Sequence, residues 1–230
     1  MSKGVRKIFS EVSGTYELVN HILTLGMDIL WRRKATRIAV QRGGSKWLEV
    51  CSGTSETASY LQEQAEKGVL IVASDFSLPM IQIASKKQNA KRIALTLAES
   101  KTLPFADDTF DLVIISFATR NINSTRAKLT DFFREFRRVL KPGGRFINLE
   151  TSQPSSSLIR KLYHLYVRIA IRPIGQLVSG SKTGYAYLSY TIPRFYNPND
   201  LAEIIRDAGF STVDWKQMFL GVAAIHEAVK

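Results

Sequence analysis

Residues 46–55 read Lys46-Trp47-Leu48-Glu49-Val50-Cys51-Ser52-Gly53-Thr54-Ser55, a short apolar strand that runs into a tight turn. Residues 56–64 favour a helix, and the apolar stretch 69–75 predicts a second strand that ends in the acid Asp75. Continuous apolar strands that alternate with helices are typical of a parallel sheet buried on both faces. Because ligands bind at the carboxyl ends of the strands in such sheets, we expect a ligand beside this turn.

The same alternation extends through the rest of the chain. Helical patterns cover 5–42, with a break around Gly26, and recur at 77–87, 125–140, 155–180 and 199–209. Strand patterns occur at 93–98, 111–117, 145–150, 210–219 and 221–229. Together they predict a doubly wound, Rossmann-like α/β fold with a seven-stranded, mostly parallel sheet. N-terminal helices precede the sheet, and a helical, aromatic insertion precedes its last strands.

We predict a single domain over 1–230, because a chain of 230 residues is long enough for one substantial core. Within it we distinguish an N-terminal helical cap (1–42), a cofactor-binding core (43–150), an insertion that faces substrate or lipid (151–198), and a closing helix with two strands (199–230). Hydrophobic residues make up 45% and charged residues 23% of the chain, which is typical of a globular protein.

Composition also narrows the location and the chemistry. No apolar run approaches the roughly 18 residues that span a bilayer, and no signal-peptide segment follows the N-terminus, so we predict a cytoplasmic protein. The single cysteine, Cys51, excludes an internal disulfide and reads as a small apolar filler rather than a nucleophile. The three histidines, His21, His164 and His226, lie far apart in sequence, and no metal site is predicted.

The turn and the acid of the second strand suggest a nucleoside cofactor. Gly53 permits a close approach of the ligand to the backbone, and Thr54 offers a hydroxyl and an amide. Asp75 suits the two hydroxyls of a ribose. Its distance from Gly53 along the chain is close to the separation of about 20 residues expected between a glycine turn and a ribose-binding acid. The alternative for Asp75 is to cap the helix that begins near Ser77. NAD is the second choice of cofactor, because the second and third glycines of its fingerprint are missing.

A series of motifs runs nearly end to end along the chain. It opens with Phe9-x-x-Val12-x-x-x-Tyr16-Glu17-x-x-Asn20, followed by Leu25-Gly26-Met27 and Trp31-Arg32. Further along come Leu103-Pro104-Phe105, Phe110-Asp111, Ser116-Phe117-x-x-Arg120-Asn121, Arg138-Val139-Leu140-Lys141-Pro142-Gly143-Gly144, Tyr185-x-Tyr187-Leu188 and Ala208-Gly209-Phe210. Through these motifs the chain resembles the ubiquinone/menaquinone biosynthesis C-methyltransferases. The opening motif and the Arg120-Asn121 pair are the more specific, whereas the Leu-Lys-Pro-Gly-Gly and Leu-Pro-Phe pieces are shared by many class I methyltransferases.

The resemblance implies methyl transfer from S-adenosylmethionine to a ring carbon of a polyprenylated quinol, with S-adenosylhomocysteine as the product. We assign cofactor binding to Glu49, Gly53, Thr54, Asp75, Phe76, Leu97, Ala98 and Ser116. The family usually has Asp at the position of Glu49, Gly at that of Ser55, and Asp or Asn at that of Leu97. These departures leave open a methyltransferase for another lipid, phenol or small molecule, and a non-catalytic binding module.

Three residues are candidates for the chemistry. We expect Arg120 to stabilise a developing phenolate, with a water that takes the proton, because arginine itself stays protonated. Asn121 would orient the hydroxyl, and Tyr16, on a helix above the site, would provide a third polar group. The alternatives are a surface ion pair for Arg120 and a core aromatic for Tyr16.

The insertion is the candidate lipid site. Apolar residues crowd 155–180, and we assign substrate contact to Tyr163, Tyr166, Tyr185 and Tyr187. Bases flank the same stretch, namely Arg160, Lys161, Arg168 and Arg172, and the chain carries a net charge of +12. This pattern favours peripheral contact with the inner face of an anionic membrane, whereas a cover helix or a homodimer face is the alternative. A nucleic-acid methyltransferase is the rival explanation of the charge, but no RNA-binding module or matching catalytic motif is present, so no nucleic-acid partner is predicted.

Overall fold

A computed structural model describes residues 11–87 and 92–230, with the side chain of Lys182 left out. The motif residue Phe9 and the start of the predicted helix at 5–42 therefore lie outside the described residues. Seven strands form one sheet in the order β3-β2-β1-β4-β5-β7-β6. They are β1 Lys46–Val50, β2 Leu70–Asp75, β3 Ile93–Leu97, β4 Phe110–Ser116, β5 Leu140–Thr151, β6 Thr212–Met218 and β7 Ala223–Val229. Strands β1 to β5 run parallel and β7 is antiparallel to both its neighbours, which confirms the predicted fold class.

Nine α-helices accompany the sheet within the described residues. They are α1 Tyr16–Thr24, α2 Met27–Val40, α3 Glu56–Gln64, α4 Leu78–Ser85, α5 Thr119–Ile122, α6 Arg126–Val139, α7 Ser157–Ser179, α8 Lys182–Thr191 and α9 Pro198–Asp207. The predicted break at Gly26 separates α1 from α2, because Leu25 and Gly26 both adopt left-handed backbone angles there. Across the described ranges, no helix is both long enough and apolar enough to cross a bilayer.

Alternate side chains of the central strands pack on opposite faces of the sheet. Leu48 joins a core formed with α6 and α9, whereas its neighbour Trp47 joins a core formed with α2 and α3. Both residues are almost fully buried, at 0% and 3% exposure. A third apolar cluster ties α1 to α7 and α8 at one end of the sheet. Helices on both faces explain why the strands are apolar throughout rather than at every second residue.

Two local predictions differ from the structure. The helix predicted over 125–140 ends at Val139, and Leu140 already pairs with Phe110 as the first residue of β5. The Lys-Pro-Gly-Gly stretch therefore bends within that strand rather than ending a helix. The aromatic stretch 183–196, predicted without an element, is largely the helix α8, whose first turn is capped by the Ser181 hydroxyl.

Candidate active site

The predicted ligand turn lies at the carboxyl ends of β1, β2 and β4, where the order of the strands reverses. Three residues of the turn have positive φ angles: Cys51 at 52°, Gly53 at 53° and Ser55 at 60°. The backbone of Ser52 is held by a hydrogen bond to the Ser74 carbonyl of β2, at 3.0 Å. The turn thus curls around a cleft that is open to solvent.

Asp75 connects this turn with the second strand. Its Oδ2 accepts a hydrogen bond from the Gly53 amide and its Oδ1 accepts one from the Ser77 amide, both at 2.8 Å. The carboxyl group therefore supports both the turn and the start of α4. The second contact agrees with the alternative prediction that Asp75 caps the helix that begins near Ser77. Burial raises its pKa, although the backbone donors act in the opposite direction. Each carboxylate oxygen has a second acceptor site, so the group remains able to bind ribose hydroxyls.

Five of the eight predicted cofactor residues line the cleft: Gly53, Thr54, Asp75, Phe76 and Ser116. An acid, a flexible glycine turn and an aromatic side chain around one cleft fit S-adenosylmethionine. Leu97 and Ala98 lie beside Asp75 at the end of β3, outside the lining of the cleft. The Ala98 amide donates to the Asp75 carbonyl at 2.9 Å, so that donor is already used. A cofactor contact at these two residues stays a prediction.

Glu49 also lies outside the lining of the cleft, so a cofactor contact at this residue stays a prediction. Its carboxyl group points to the α3 side of the sheet, where its Oε2 accepts a hydrogen bond from the Ala58 amide at 2.8 Å. Ala58 is in the first turn of α3, whose amides have no partner within the helix. Burial raises the pKa of Glu49 to about 8, while the charge of Arg32 and the donors nearby lower it. Glu49 thus stabilises the helix start behind the cleft.

The helix α1 closes over the cofactor turn, which the sequence did not predict in detail. Glu17 accepts hydrogen bonds from the Thr54 hydroxyl of the turn and from the ammonium group of Lys87. The preceding residue, Tyr16, lines the cleft itself. Glu17 thus holds α1 over the turn, and the adjacent Tyr16 faces the cleft.

A second and larger cavity, of about 1440 Å³ including its open mouth, adjoins the cofactor cleft. The two share Tyr16 and Arg32 in their walls. The lining of the large cavity is mostly apolar and comes mainly from α1, α2 and α7, with further residues from α8, the segment after β4 and the short helix Phe219–Gly221. It includes Leu23, Trp31, Phe117, Ile159, Leu162, Val167, Ile171, Leu188 and Leu220. A polar cleft and an apolar cavity therefore meet at one point.

Arg120 and Asn121 lie on opposite sides of that meeting point. Asn121 lines the cofactor cleft and Arg120 lines the apolar cavity. The Arg120 guanidinium is 5% exposed, donates from Nη1 to the Thr191 hydroxyl at 2.8 Å, and lies 3.9 Å from Glu150 Oε1. The alternative of a surface ion pair is thus wrong, because both partners are buried. The Arg120 Nε, which is the atom that faces Glu150, is buried and has no hydrogen-bond partner within the described residues.

Glu150 was missed in the sequence. It is the penultimate residue of β5 and is 1% exposed, and its Oε2 accepts a hydrogen bond from the Arg120 amide at 3.0 Å. Its Oε1 accepts two more from the amide and hydroxyl of Thr151. Three hydrogen-bond donors and the Arg120 guanidinium surround this carboxylate, and these contacts place the arginine at the cavity wall. The position in the sequence, an acid at the end of an apolar strand, was the available signal.

Tyr16 and Arg32 form the wall between the two spaces. Burial raises the pKa of the Tyr16 hydroxyl, although the charges of Arg32 and Arg120 lower it, so this group stays protonated near neutral pH. Arg32 is 5% exposed, donates to the Thr57 hydroxyl at 2.9 Å and lies over the Phe117 ring. The sequence placed Arg32 in the opening motif but gave it no role.

The four predicted substrate tyrosines divide into two pairs. Tyr163 and Tyr166 of α7 line the apolar cavity, and their contact with a substrate stays a prediction. Tyr185 is 2% exposed and packs against Gly175, where an added Cβ would lie 2.1 Å from its ring. Tyr185 thus joins α8 to α7, and its contact with a substrate stays a prediction. Tyr187 also lies outside the lining of the cavity.

Comparison with known proteins gives the context of this site. A model of the ubiE/COQ5 methyltransferase family matches residues 1–230. A demethylmenaquinone methyltransferase from Streptomyces avermitilis is 36% identical over 98% of this chain and 94% of its own length. A ubiquinone/menaquinone biosynthesis C-methyltransferase from Desulfotalea psychrophila is 33% identical over 99% of this chain and 90% of its own. The crystal structure of a SAM-dependent methyltransferase from Thermotoga maritima has the same fold, with a TM-score of 0.70, 17% identity, and coverage of 98% of this chain and 99% of that one.

Proposed function

The chain belongs to the ubiE/COQ5 methyltransferase family, and on that basis we propose that it methylates a ring carbon of a polyprenylated quinol. It is an enzyme, and its methyl donor is S-adenosylmethionine. The relatives named above act on demethylmenaquinone or in ubiquinone and menaquinone biosynthesis. The observation that carries the proposal is the meeting of a polar cleft with a long apolar cavity at Tyr16 and Arg32.

The two spaces match the two halves of the reaction. Gly53, Thr54, Asp75, Phe76 and Ser116 hold the cofactor, which supplies an electrophilic methyl group. The apolar cavity accepts the prenyl chain, which has no polar groups to bind. The aromatic ring then lies at the junction, where the polar side chains Tyr16, Arg32 and Arg120 face it.

The transfer is a displacement in which a ring carbon bonds to the methyl group as the bond from that methyl to sulfur breaks. Holding the ring in line with the methyl group accounts for much of the acceleration. The ring becomes electron-rich when a neighbouring hydroxyl loses its proton to a water beside Arg120. The Arg120 guanidinium, fixed by Glu150 and Thr191, stabilises the phenolate oxygen. The methylated ring carbon then loses its own proton to water, which restores the aromatic ring as a phenolate, and the phenolate oxygen takes up a proton from water to give the methylated quinol.

Two neighbours complete this arrangement. Asn121, on the cofactor side of the junction, orients the hydroxyl of the ring. The Tyr16 hydroxyl stays protonated and acts as a hydrogen-bond donor rather than as a base. We also propose peripheral contact with a membrane, since a polyprenylated substrate partitions into lipid.

The direct test is to incubate the purified chain with methyl-labelled S-adenosylmethionine and chemically reduced demethylmenaquinone in detergent micelles. We expect label on a ring carbon of the quinone, identified by mass spectrometry of the ring fragment. Asp75→Asn is the control, because its cofactor site is altered while the apolar cavity is unchanged. Label on an oxygen, or none from a protein that binds the cofactor, would contradict the proposal.

A further inference from the structure

The mouth of the apolar cavity is surrounded by large apolar side chains that face solvent. Leu25 is 88% exposed, Phe219 is 57% exposed and Leu220 is 65% exposed, although all three line the cavity. Leu162 and Tyr166 of α7 complete the rim, at 58% and 37% exposure. Exposed apolar groups that cluster at one opening, drawn from three separate segments, indicate a surface that meets an apolar partner.

The backbone at two points of this rim is unusual. Leu25 has a φ of 52°, and the adjacent residues Phe219 and Leu220 have φ angles of 39° and 56°. Leucine and phenylalanine rarely adopt left-handed angles, and such conformations persist where the surrounding structure imposes them. Both turns thus project bulky apolar side chains outward at positions where glycine or asparagine is usual.

The outer face of α7 continues this surface. Leu158, Leu165 and Ile169 are 66%, 52% and 62% exposed and lie outside the lining of the cavity. At 3.6 residues per turn they form, with Leu162, a stripe within about 60° of the helix circumference. Lys161, Arg168 and Arg172 follow one edge of the stripe, and Tyr166 follows the other, next to the mouth. Arg160, also predicted to flank this stretch, lies away from the stripe, and its Nη1 reaches the Pro154 carbonyl at 3.5 Å.

We propose that this face, formed by the α7 stripe, Leu25 and the Phe219-Leu220 turn, docks on an anionic bilayer and opens the cavity into it. The basic edge of the stripe and the net charge of +12 select a negatively charged lipid surface. The exposed leucines enter the boundary between headgroups and acyl chains. A prenyl chain then passes from the bilayer into the cavity without crossing water. The nature of this cargo rests on the proposed function, whereas the docking itself does not.

The test measures sedimentation of the full chain with vesicles, without any reaction. Vesicles contain phosphatidylcholine alone or phosphatidylcholine mixed with phosphatidylglycerol. We expect binding to the mixed vesicles that falls with added salt, because the basic edge contributes through screened charges. The double variant Leu165→Ser/Ile169→Ser should bind at least tenfold more weakly. Leu177→Ser is the matched control, since Leu177 is an 87% exposed leucine of the same helix outside the stripe.

The folded state of each variant is checked by cofactor binding, which neither substitution should alter. Absence of binding to anionic vesicles, or equal binding by the double variant and the control, would overturn the proposal. So would sedimentation analysis in which the free wild type is a dimer and the double variant a monomer, because the stripe would then join two copies. Vesicle binding without quinol methylation would contradict only the proposed function, and methylation without vesicle binding only the docking.

Discussion

The cofactor cleft and the apolar cavity share two residues but are built in different ways. The cleft is polar and is formed by backbone turns at the ends of β1, β2 and β4, with one carboxylate, that of Asp75, bonded to two amides. The cavity is formed mainly by apolar side chains of α1, α2, α7 and the Phe219–Gly221 turn, which the chain brings together from both of its ends. The first depends on fixed backbone geometry, and the second depends on how helices pack around the sheet. Substitutions should therefore separate the two functions.

The largest effect is expected at Arg120, which lies beside the junction of the cofactor cleft and the apolar cavity. Arg120→Lys keeps a positive charge but loses the planar group that Glu150 and Thr191 hold. We expect kcat to fall by about 10²- to 10³-fold, as for the loss of a donor that stabilises a developing oxyanion. The measurement is single-turnover methyl transfer, with cofactor affinity as the control because Arg120 lies outside the cofactor cleft. An unchanged kcat would remove Arg120 from the chemistry.

Asp75→Ala tests the cleft alone. It removes a carboxylate that supports Gly53 and Ser77 and is placed to bind the ribose hydroxyls. Two hydrogen bonds to a charged acceptor, each worth about 1.5–3 kcal/mol, predict a loss of roughly 100-fold or more in cofactor affinity. Calorimetric titration with S-adenosylhomocysteine measures it. Binding of a prenylated quinone should be retained, and a parallel loss of both would mean that the two sites are not separable.

Leu23→Trp tests the cavity alone. Leu23 lines the apolar cavity but not the cofactor cleft, so a larger side chain takes space from the prenyl chain. We expect kcat/KM for a long-chain quinol to fall by about tenfold, since the loss of a few methylene contacts costs about 1–3 kcal/mol. The rate with a quinol that lacks the prenyl chain is the control and should change little. Equal losses with both substrates would argue against this cavity as the prenyl site.

The smallest effect on catalysis, and a clear one on stability, is expected at Glu49. Its pKa is about 8 in the folded protein against 4.5 for an ordinary glutamate, and burial is the main cause. A raised pKa stabilises the fold below pH 4.5, and this contribution is lost as the pH rises to about 8. Glu49→Gln removes the titration. Between these pH values the wild type should therefore lose on the order of a few kcal/mol more stability than the variant.

Urea unfolding of both proteins at several pH values measures this difference. The kcat of Glu49→Gln near neutral pH should stay close to that of the wild type, because Glu49 faces α3 rather than the cleft. Parallel stability curves for the two proteins would show that Glu49 is ionised in the folded state.

The sequence predicts the two regions unequally, for physical reasons. A strand, a glycine turn and an acid at the next strand end are local signals, so the cleft and the fold class were predictable. The contact of Glu49 with the start of α3 was not predicted, because the direction of a side chain at a strand end depends on which face each residue occupies. Here Glu49 shares the α3 face with Trp47, while Leu48 and Val50 face the other core.

The apolar cavity depends on tertiary packing that no local pattern contains. Tyr185 lies in the aromatic insertion that was predicted to face substrate or lipid, but its ring fills the space that Gly175 leaves between α7 and α8. Conversely, the sequence placed Phe219 and Leu220 where one predicted strand ends and the next begins. In the structure both residues have positive φ angles and line the mouth of the cavity. The available signals in the sequence were Gly175 within the predicted helix 155–180, and the apolar pair Phe219 and Leu220 directly before Gly221.

In the proposed function, the methyl donor and the lipid substrate occupy two separate spaces that meet at Tyr16 and Arg32. The most direct measurement is calorimetric titration of a prenylated quinone into the protein, with and without saturating S-adenosylhomocysteine. We predict binding of similar affinity in both titrations, a tenfold weaker quinone affinity in Leu23→Trp, and unchanged quinone affinity in Asp75→Ala. Quinone binding that disappears when the cleft is filled would contradict the account, because the two ligands would then share one site.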